Sequence, residues 1–594
     1  MLFKNDLNYV KICLLIFYEK ENGKMNFFKK TLSIMLALVI ALSAFSVLSF
    51  AQGENELKIG LCSDIHTEVV PETEETFDDG MYSTHNLFSG MYTLSFGILD
   101  GCAKQVKQDG GQYLLISGDI TNMGTLEQYK EASEKLDYIE KKYDLKILLV
   151  PGNHDYYTLA QDGVALFREY FYKFGFDEAY TIDDKTNSYA YNLDSKYCLI
   201  AVDTNKPGKT GDGMAEDTYK WIEQQTKLAQ EGGREVILMT HHSIMPHFLL
   251  GEIITANFVL SNYRSVCTRF ANLGIKYAFT GHSHICDIAK FESSLGNEIY
   301  DINTPSLISA APEYRTITIS DDGVNVAKST VKSVDDRALI PGGYSEKAYE
   351  QMAVDMQSYG DDFFYASFDK FIKSFTNANE LLALMGQDNN KAIYEIINNV
   401  CSRIEDVLTA PLYGEKDSFE AIAKNYGVSI PASDYETLAD VAARIIRVYF
   451  GMDGESLSAN SVEAQLAVTG VGLLVTYVFS GVPNDLKFGI IDALLGTFGI
   501  SRDDIDVKFT EIIVKGSDDP EFAFEVIHSI IDPLLEGILS DKAPDDYDVT
   551  LPAYGEVNTQ MTMGGAFGII KQITSFIKNL LEYIYNVLAT ALKW

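Results

Sequence analysis

The clearest indication of the fold lies at residues 146–155, which read Lys-Ile-Leu-Leu-Val-Pro-Gly-Asn-His-Asp. The apolar run at 146–150 is typical of a buried strand. The Gly that follows lets the backbone turn sharply, and Asn153, His154 and Asp155 come directly after it. A strand that ends in such side chains predicts a layered α/β domain with its chemistry at the strand ends.

Similar short apolar runs recur along the front part of the chain. They predict strands at Leu57–Cys62, Tyr113–Ser117, Tyr197–Val202, Val236–Thr240, Tyr277–Thr280, Glu298–Asn303 and Arg315–Ser320. Amphipathic stretches at Leu126–Tyr143 and Asp217–Glu231 predict helices between them. Four more of these strands end in Asp or His, in the segments Asp64-Ile-His66, Gly118-Asp119, His241-His242 and Gly281-His282-Ser283-His284.

The residue types at these strand ends indicate a metal site. Ligands bind at the carboxyl ends of strands in open α/β sheets, so these side chains could converge on one crevice. Carboxylate, imidazole and amide oxygen suit Mn, Fe or Zn. The set contains more ligands than one tetrahedral ion needs, which predicts two metal ions, divalent or trivalent.

The ordered set of five segments resembles the pattern of the calcineurin-like metallophosphoesterase superfamily, D-x-H, G-D, G-N-H-[DE], H and G-H-x-H. The resemblance covers about residues 57–330 and implies a four-layer α/β/β/α sandwich with a two-metal site at its edge. Segment by segment, it implies these ligands: Asp64, His66 and His284 for the first metal, Asp119 as the bridge, and Asn153, His241 and His282 for the second. His242 remains an alternative to His241.

The implied activity is the hydrolysis of phosphomono- or phosphodiesters by a metal-bridging hydroxide, because two cations lower the pKa of a shared water. His154 is the candidate general acid or transition-state stabiliser, and Asp155 could orient its ring. The alternative interpretation is a surface interaction protein with a vestigial metal site. No ligand position is missing, which argues against that alternative.

The charge of the chain limits its partners. Asp plus Glu number 84 and Lys plus Arg 48, a net charge of −36. Non-specific binding of nucleic acid needs a basic surface, so no nucleic-acid partner is expected and small phosphoesters are the favoured substrates.

The N-terminus is typical of a secretory signal. Residues 1–24 read as an upstream extension before a second start at Met25, which Lys29, Lys30 and an uncharged run from Thr31 to Ala51 follow. Small residues at Ser49 and Ala51 fit a signal-peptidase site. We therefore expect cleavage after Ala51 and a secreted or cell-surface protein.

The predicted organisation is a signal region at 1–51, the α/β domain at 52–335, a helical domain of unknown role at 336–555 and an amphipathic helix at 564–594. Apolar residues at helical spacing, as in Phe363–Phe375, Ala392–Leu408 and Leu438–Phe450, indicate the helical domain. The uncharged stretch Leu466–Val482 is read as a buried helix rather than a membrane span. The last helix either packs on the protein, the default, or makes a peripheral membrane contact.

Overall fold

The structure is a computed structural model, and it describes residues 56–69, 76–77, 81–82, 90–209, 211–247, 258–388, 390–449, 457–458, 460–496, 514–517, 519–524, 526–527, 546 and 548–559. The predicted signal segment and the predicted C-terminal helix at 564–594 lie outside these residues.

The strands of the described residues are numbered in chain order. They are β1 (Leu57–Cys62), β2 (Thr76–Phe77), β3 (Met81–Tyr82), β4 (Tyr113–Ile116), β5 (Lys146–Leu149), β6 (Thr181–Ile182), β7 (Tyr189–Asn192), β8 (Tyr197–Val202), β9 (Glu235–Thr240), β10 (Tyr277–Thr280), β11 (Asp287–Glu292), β12 (Glu298–Asn303), β13 (Glu313–Ser320), β14 (Gly323–Thr330) and β15 (Val549–Pro552). The strands predicted from the sequence are confirmed, with ends that differ by at most two residues.

Two mixed sheets form the α/β domain. The first has the order β15-β14-β13-β1-β4-β5, and the second has the order β11-β12-β10-β9-β8-β7-β6. Strands β1, β4 and β5 run parallel in the first sheet, and β8, β9, β10 and β12 run parallel in the second. The carboxyl ends of these parallel strands carry the predicted site residues, so each sheet contributes to the site from one edge.

Helices flank the sheets and continue into the second half of the chain. They are α1 (Ser95–Gln108), α2 (Leu126–Tyr143), α3 (Ala160–Tyr170), α4 (Glu216–Glu231), α5 (Tyr263–Asn272), α6 (Glu346–Val354), α7 (Met356–Thr376), α8 (Ala378–Leu384), α9 (Tyr394–Leu408), α10 (Phe419–Asn425), α11 (Leu438–Tyr449), α12 (Val462–Leu473) and α13 (Asn484–Gly496). The observed fold, a layered sandwich followed by a helical C-terminal region, therefore confirms the predicted one.

Local sequence explains where α2 begins. The hydroxyl of Thr125 accepts a hydrogen bond from the backbone N–H of Gln128, and the Gln128 side chain accepts one from the N–H of Thr125. This capping box satisfies two N–H groups that a helix start otherwise leaves without partners. The helix therefore begins at Leu126, directly after the cap residue Thr125, which ends the loop that carries Asp119.

The stretch Leu466–Val482 forms α12 followed by a π-helical turn at Leu474–Val478. Leu466, Leu473 and Val478 are fully buried, as predicted for a core helix. No helix among the described residues combines the length and the apolar character that crossing a bilayer requires.

The end of the predicted helical domain needs a correction. Strand β15 lies inside the predicted range 336–555, yet it pairs with β14 and extends the first sheet. Beyond it, the Tyr554 hydroxyl donates to the carbonyl of Val236 at 2.9 Å, and Lys276 Nζ donates to the carbonyl of Ala553 at 2.7 Å, both on the second sheet. The chain therefore returns to both sheets after the helical region.

Candidate metal centre

The loops after β1 and β4 run side by side beyond the ends of their strands. The N–H of Asp64 donates to the carbonyl of Gly118 at 3.1 Å, and the N–H of His66 donates to that of Asp119 at 2.9 Å. These bonds continue the parallel pairing of the two strands past their last residues. They place the side chains of Asp64, His66 and Asp119 at one edge of the first sheet.

Several of these residues have an unusual backbone conformation. Among the described residues, ten other than Gly have a positive φ, and five of those are predicted ligands: Asp64 (52°), His66 (41°), Asp119 (51°), His282 (68°) and His284 (58°). Residues other than Gly adopt this left-handed region rarely and at a cost in free energy. Such strain concentrates at functional sites, where the surrounding structure enforces it.

The Gly residues of the motifs are required for two different reasons. Gly118 has a φ of 103°, which a side chain would oppose. Gly152 and Gly281 lack a positive φ, so a left-handed backbone conformation explains only Gly118. At Gly152 a Cβ would overlap Oδ1 of Asp119. The second reason is therefore the close approach of a site residue to the backbone.

Asp64, His66 and His284 form the first group of converging side chains. Nε2 of His284 lies 3.2 Å from Oδ1 of Asp64 and 3.2 Å from Nε2 of His66. The other oxygen of Asp64, Oδ2, accepts the backbone N–H of His282 at 3.0 Å. Oδ1 is buried and has no hydrogen-bond partner, so it remains available as a ligand.

Asp119, Asn153, His241 and His282 form the second group. Nε2 of His241 lies 3.0 Å from Oδ1 of Asn153, 3.1 Å from Nδ1 of His282 and 3.2 Å from Oδ2 of Asp119. Nδ1 of His241 donates to the carbonyl of Ser117 at 2.9 Å. In the neutral imidazole, Nε2 therefore carries a lone pair that faces the acceptor oxygens of Asn153 and Asp119.

Asp119 joins the two groups through one oxygen. Oδ1 accepts the backbone N–H of His154 at 2.9 Å, which fixes the carboxylate. Oδ2 lies 3.2 Å from Nε2 of His241 in the second group and 3.9 Å from Nε2 of His66 in the first. A single carboxylate oxygen thus lies between the two sets of nitrogen atoms.

The two neighbouring His residues after β9 point to different partners. His241 lies within the second group, whereas Nδ1 of His242 is hydrogen-bonded to the hydroxyl of Thr204 at 2.8 Å. Both rings pack near His282, with centroids at 4.7 Å and 4.6 Å. The geometry therefore favours His241 as the ligand of this pair.

His154 reaches the cluster, but Asp155 does not orient it. Nδ1 of His154 donates to the carbonyl of Asn122 at 2.7 Å, and a ring nitrogen of His154 lies within 4.8 Å of the ligand atoms of His66 and Asp119. The carboxylate of Asp155 instead accepts the backbone N–H groups of Thr121 and Gly152, each at 2.8 Å. The expectation that Asp155 orients the His154 ring is therefore wrong. Asp155 ties the loop after β4 to the loop after β5.

The electrostatics of the cluster reflect its burial. Burial lowers the pKa of the His66 imidazole to about 3, and the nearby His154 adds to this effect. Burial also disfavours charged His241, but the Asp119 carboxylate raises the pKa of that imidazole to about 9. Burial and the charge of Asp119 raise the pKa of Asp155 to about 7. Buried carboxylates and imidazoles at this density need positive charge between them.

These donors fit metal ions. The groups Asp64, His66, His284 and Asp119, His241, His282 each bring three ligand atoms within 4.8 Å of one another. Imidazole, carboxylate and amide oxygen together suit first-row metals such as Zn, Fe or Mn. The unpartnered Oδ1 of Asp64 and the facing lone pairs around His241 are what a cation would satisfy.

Some residues around the site are absent from the motif analysis. Tyr157 accepts a hydrogen bond from Nδ2 of Asn153 at 2.7 Å, and Phe258 stacks on His282 with ring centroids 4.4 Å apart. Asn122 anchors His154 through its backbone carbonyl, a contact that no side-chain pattern reveals. The sequence could have indicated Tyr157, because it lies three residues after His154 at the end of the same short turn.

The front part of the chain matches a known protein family. Residues 57–286 match the family model of calcineurin-like phosphoesterases. The sequence resemblance is thereby confirmed.

Two curated relatives share part of this region. The chain is 29% identical over 130 residues to a protein of Arcobacter nitrofigilis named as a probable glycerophosphodiester phosphodiesterase, covering 22% of this chain and 41% of the relative. It is 25% identical over 178 residues to a Xenorhabdus bovienii protein named as a probable cyclic nucleotide phosphodiesterase, covering 29% of this chain and 61% of that relative. The chain thus spans less than two thirds of the length of either relative.

Solved structures with similarity to the chain include a dimetal phosphatase from Danio rerio and a purple acid phosphatase from yellow lupin. The first is 14% identical with a TM-score of 0.36 and covers 47% of this chain and 97% of its own. The second is 10% identical with a TM-score of 0.33 and covers 46% of this chain and 52% of its own.

Proposed function

We propose that the chain is a metal-dependent phosphoesterase that hydrolyses small phosphoesters. The observation that carries this proposal is the pair of ligand groups joined by Oδ2 of Asp119. The family match over residues 57–286 supports a hydrolase of this class. A vestigial site would be expected to have lost ligands, and this cluster retains all of those implied by the sequence pattern.

In this proposal Asp64, His66 and His284 hold one cation and Asn153, His241 and His282 hold the other, with Asp119 shared. When bound, such a pair lowers the pKa of a shared water and neutralises charge on phosphoryl oxygens. The chain's own contribution is to hold these donors rigidly. Hydrogen bonds from backbone N–H groups fix both Asp64 and Asp119, so neither carboxylate has to reorganise when substrate binds.

His154 is proposed to assist the leaving group. Its Nδ1 is committed to the carbonyl of Asn122, so the ring has one nitrogen left to face the site. From that nitrogen a protonated imidazole could donate its proton to the departing alkoxide. The ring packs between His66 and Tyr157, with centroids at 4.6 Å and 4.3 Å. This packing limits the directions in which the nitrogen can point.

Among small phosphoesters, we propose phosphodiesters as the first class to test. Both curated relatives described above carry names of phosphodiesterases. The net charge of −36 disfavours polyanionic substrates such as nucleic acids.

The deciding experiment compares bis-p-nitrophenyl phosphate with p-nitrophenyl phosphate on residues 52–594. The protein is first stripped with a chelator and then supplied separately with Mn²⁺, Zn²⁺ or Fe²⁺. We expect hydrolysis that chelation removes and one of these metals restores, with the diester preferred. Hydrolysis that survives chelation contradicts the metal-dependent mechanism. Absence of hydrolysis with every metal would favour the surface interaction protein with a vestigial site.

We also propose that the protein is exported through its N-terminal signal. The mature protein recovered from culture medium is expected to begin at Gln52, which N-terminal sequencing checks. Retention inside the cell with residues 25–51 attached would contradict this. Peripheral membrane contact through residues 564–594 stays the alternative to packing. Co-sedimentation with liposomes, compared with a version that ends at Met563, distinguishes the two.

A further inference from the structure

The side chain of Asn153 poses an orientation problem. An Asn amide has an oxygen and a nitrogen end of nearly equal size, and only the oxygen can bind a cation. Asn153 is buried, and its Oδ1 lies 3.0 Å from Nε2 of His241 in the second ligand group. A reversed amide would direct an NH₂ group at that position and remove one ligand.

The hydroxyl of Tyr157 opposes that reversal. Nδ2 of Asn153 donates to the Tyr157 oxygen at 2.7 Å, so the nitrogen end is held on the side away from His241. An amide NH₂ group can only donate, so the oxygen of the Tyr157 hydroxyl is the acceptor in this bond.

The ring of Tyr157 has a second contact. It packs on the imidazole of His154, with centroids 4.3 Å apart and planes at 41°. Local structure explains both contacts, because His154–Tyr156 form a single 3-10 turn and the N–H of Tyr157 donates to the carbonyl of His154 at 3.3 Å. That turn brings Tyr157 back beside Asn153 and His154.

We propose that Tyr157 is a positioning residue for the metal centre. Its hydroxyl holds the Asn153 amide with Oδ1 toward the second cation, and its ring holds the His154 imidazole in place. This inference rests on the proposed function, because it assumes that cations bind the two ligand groups.

The test measures binding of Mn²⁺ to chelator-stripped protein by calorimetry, for wild type, Tyr157→Phe and Tyr157→Leu. Removing a group that orients a ligand typically costs about 10–100-fold in metal affinity. We expect wild type to bind two Mn²⁺ ions and Tyr157→Phe to lose about that factor at one of the two sites. Excess Mn²⁺ should restore the activity of Tyr157→Phe, which keeps the ring, but only partly that of Tyr157→Leu. Tyr172→Phe, at a half-exposed Tyr outside the site, is the matched control.

A second background separates amide orientation from general support of the fold. In Asn153→Asp both ends of the side chain are oxygens, so the orienting hydroxyl becomes largely dispensable. The loss of Mn²⁺ affinity caused by Tyr157→Phe should therefore be several-fold smaller in that background than in wild type.

The outcomes are distinguishable. Two Mn²⁺ ions bound to Tyr157→Phe with wild-type affinity overturn the inference and leave the proposed function intact. An equal loss of affinity in both backgrounds also overturns it, because Tyr157 then does not act through the amide. Wild-type protein that binds no Mn²⁺ pair and hydrolyses no phosphoester overturns the proposed function and this inference with it.

Discussion

The sandwich and the helical region bury different kinds of side chains. In the sandwich, polar and charged groups such as Asp64, Asp119 and His241 are buried at the ends of apolar strands. In the described part of the helical region, a separate apolar core contains residues such as Leu381, Val441 and Leu466, and the buried charged side chains include Arg447 and Lys487. The groups able to hold a metal all lie in the sandwich, as far as the described residues show.

This difference has a thermodynamic meaning. Burying a charged or polar group without a good partner costs several kcal/mol, whereas burying an apolar side chain stabilises the fold. A protein retains such buried polar clusters where chemistry requires them. The sandwich therefore holds a site that folding alone does not explain, while the apolar core of the helical region needs no explanation beyond packing.

The largest expected effect follows from Asp119→Asn. Loss of the shared charge should reduce turnover to background, because both ligand groups depend on the same oxygen. Asp144→Asn, at a fully exposed position, is the control and should leave kcat unchanged. Steady-state kinetics with saturating metal measure both. An Asp119→Asn variant with most of its wild-type kcat would show that the cluster is not the active site.

The next largest effect is expected for His154→Gln. General acid catalysis is typically worth about 10²–10⁴-fold, so kcat should fall by a factor in that range while metal content stays the same. The loss should shrink for substrates with good leaving groups, which need no proton. Metal analysis beside the kinetics is essential, since loss of metal would identify His154 as a ligand instead.

Truncating one buried side chain in each core tests whether the two regions differ as described. Leu466→Ala and Leu148→Ala both truncate fully buried side chains, and such changes typically cost about 2–5 kcal/mol of unfolding free energy. Denaturant titration measures that cost. Leu148 precedes the loop of Asn153 and His154, so its variant should also lose kcat, whereas Leu466→Ala should keep it. Equal losses of kcat would show that the helical region supports the site directly.

The smallest expected effect concerns a buried carboxyl group in the sandwich, outside the site. Burial raises the pKa of Glu313 to about 7, even though Nζ of Lys328 lies 2.6 Å from Oε1 of Glu313. In the unfolded chain the group ionises near its ordinary pKa of about 4.3. The folded state therefore binds more protons over this window, and stability should fall as pH rises from about 4.3 to about 7.

Glu313→Gln should remove that part of the pH dependence and raise the melting temperature at pH 8 relative to wild type. Glu134→Gln, at an exposed position, is the control. Melting curves of metal-free protein between pH 4 and pH 8 provide the measurement. If Glu313→Gln melts earlier than wild type at pH 8, the ion pair with Lys328 outweighs the burial of the charge.

Much of the sandwich was predictable from local patterns. Apolar runs such as Leu57–Cys62 predict strands because each is buried on both faces, and the residues at their ends identify the site by chemical type. The predicted end of the helical region was wrong, because the partner of β15 lies more than two hundred residues earlier in the chain. No local pattern contains information about a pairing at that distance.

Composition and order in the sequence are enough to predict the candidate metal-binding residue types and the strands that carry them. The tertiary structure alone decides that His241 rather than His242 faces Asn153, that Asp155 binds backbone N–H groups instead of His154, and that Tyr157 contacts the Asn153 amide. The physical reason is that residue type determines which bonds a side chain can make. Which bond it does make depends on where the backbone places its neighbours within about 3 Å, the length of a hydrogen bond.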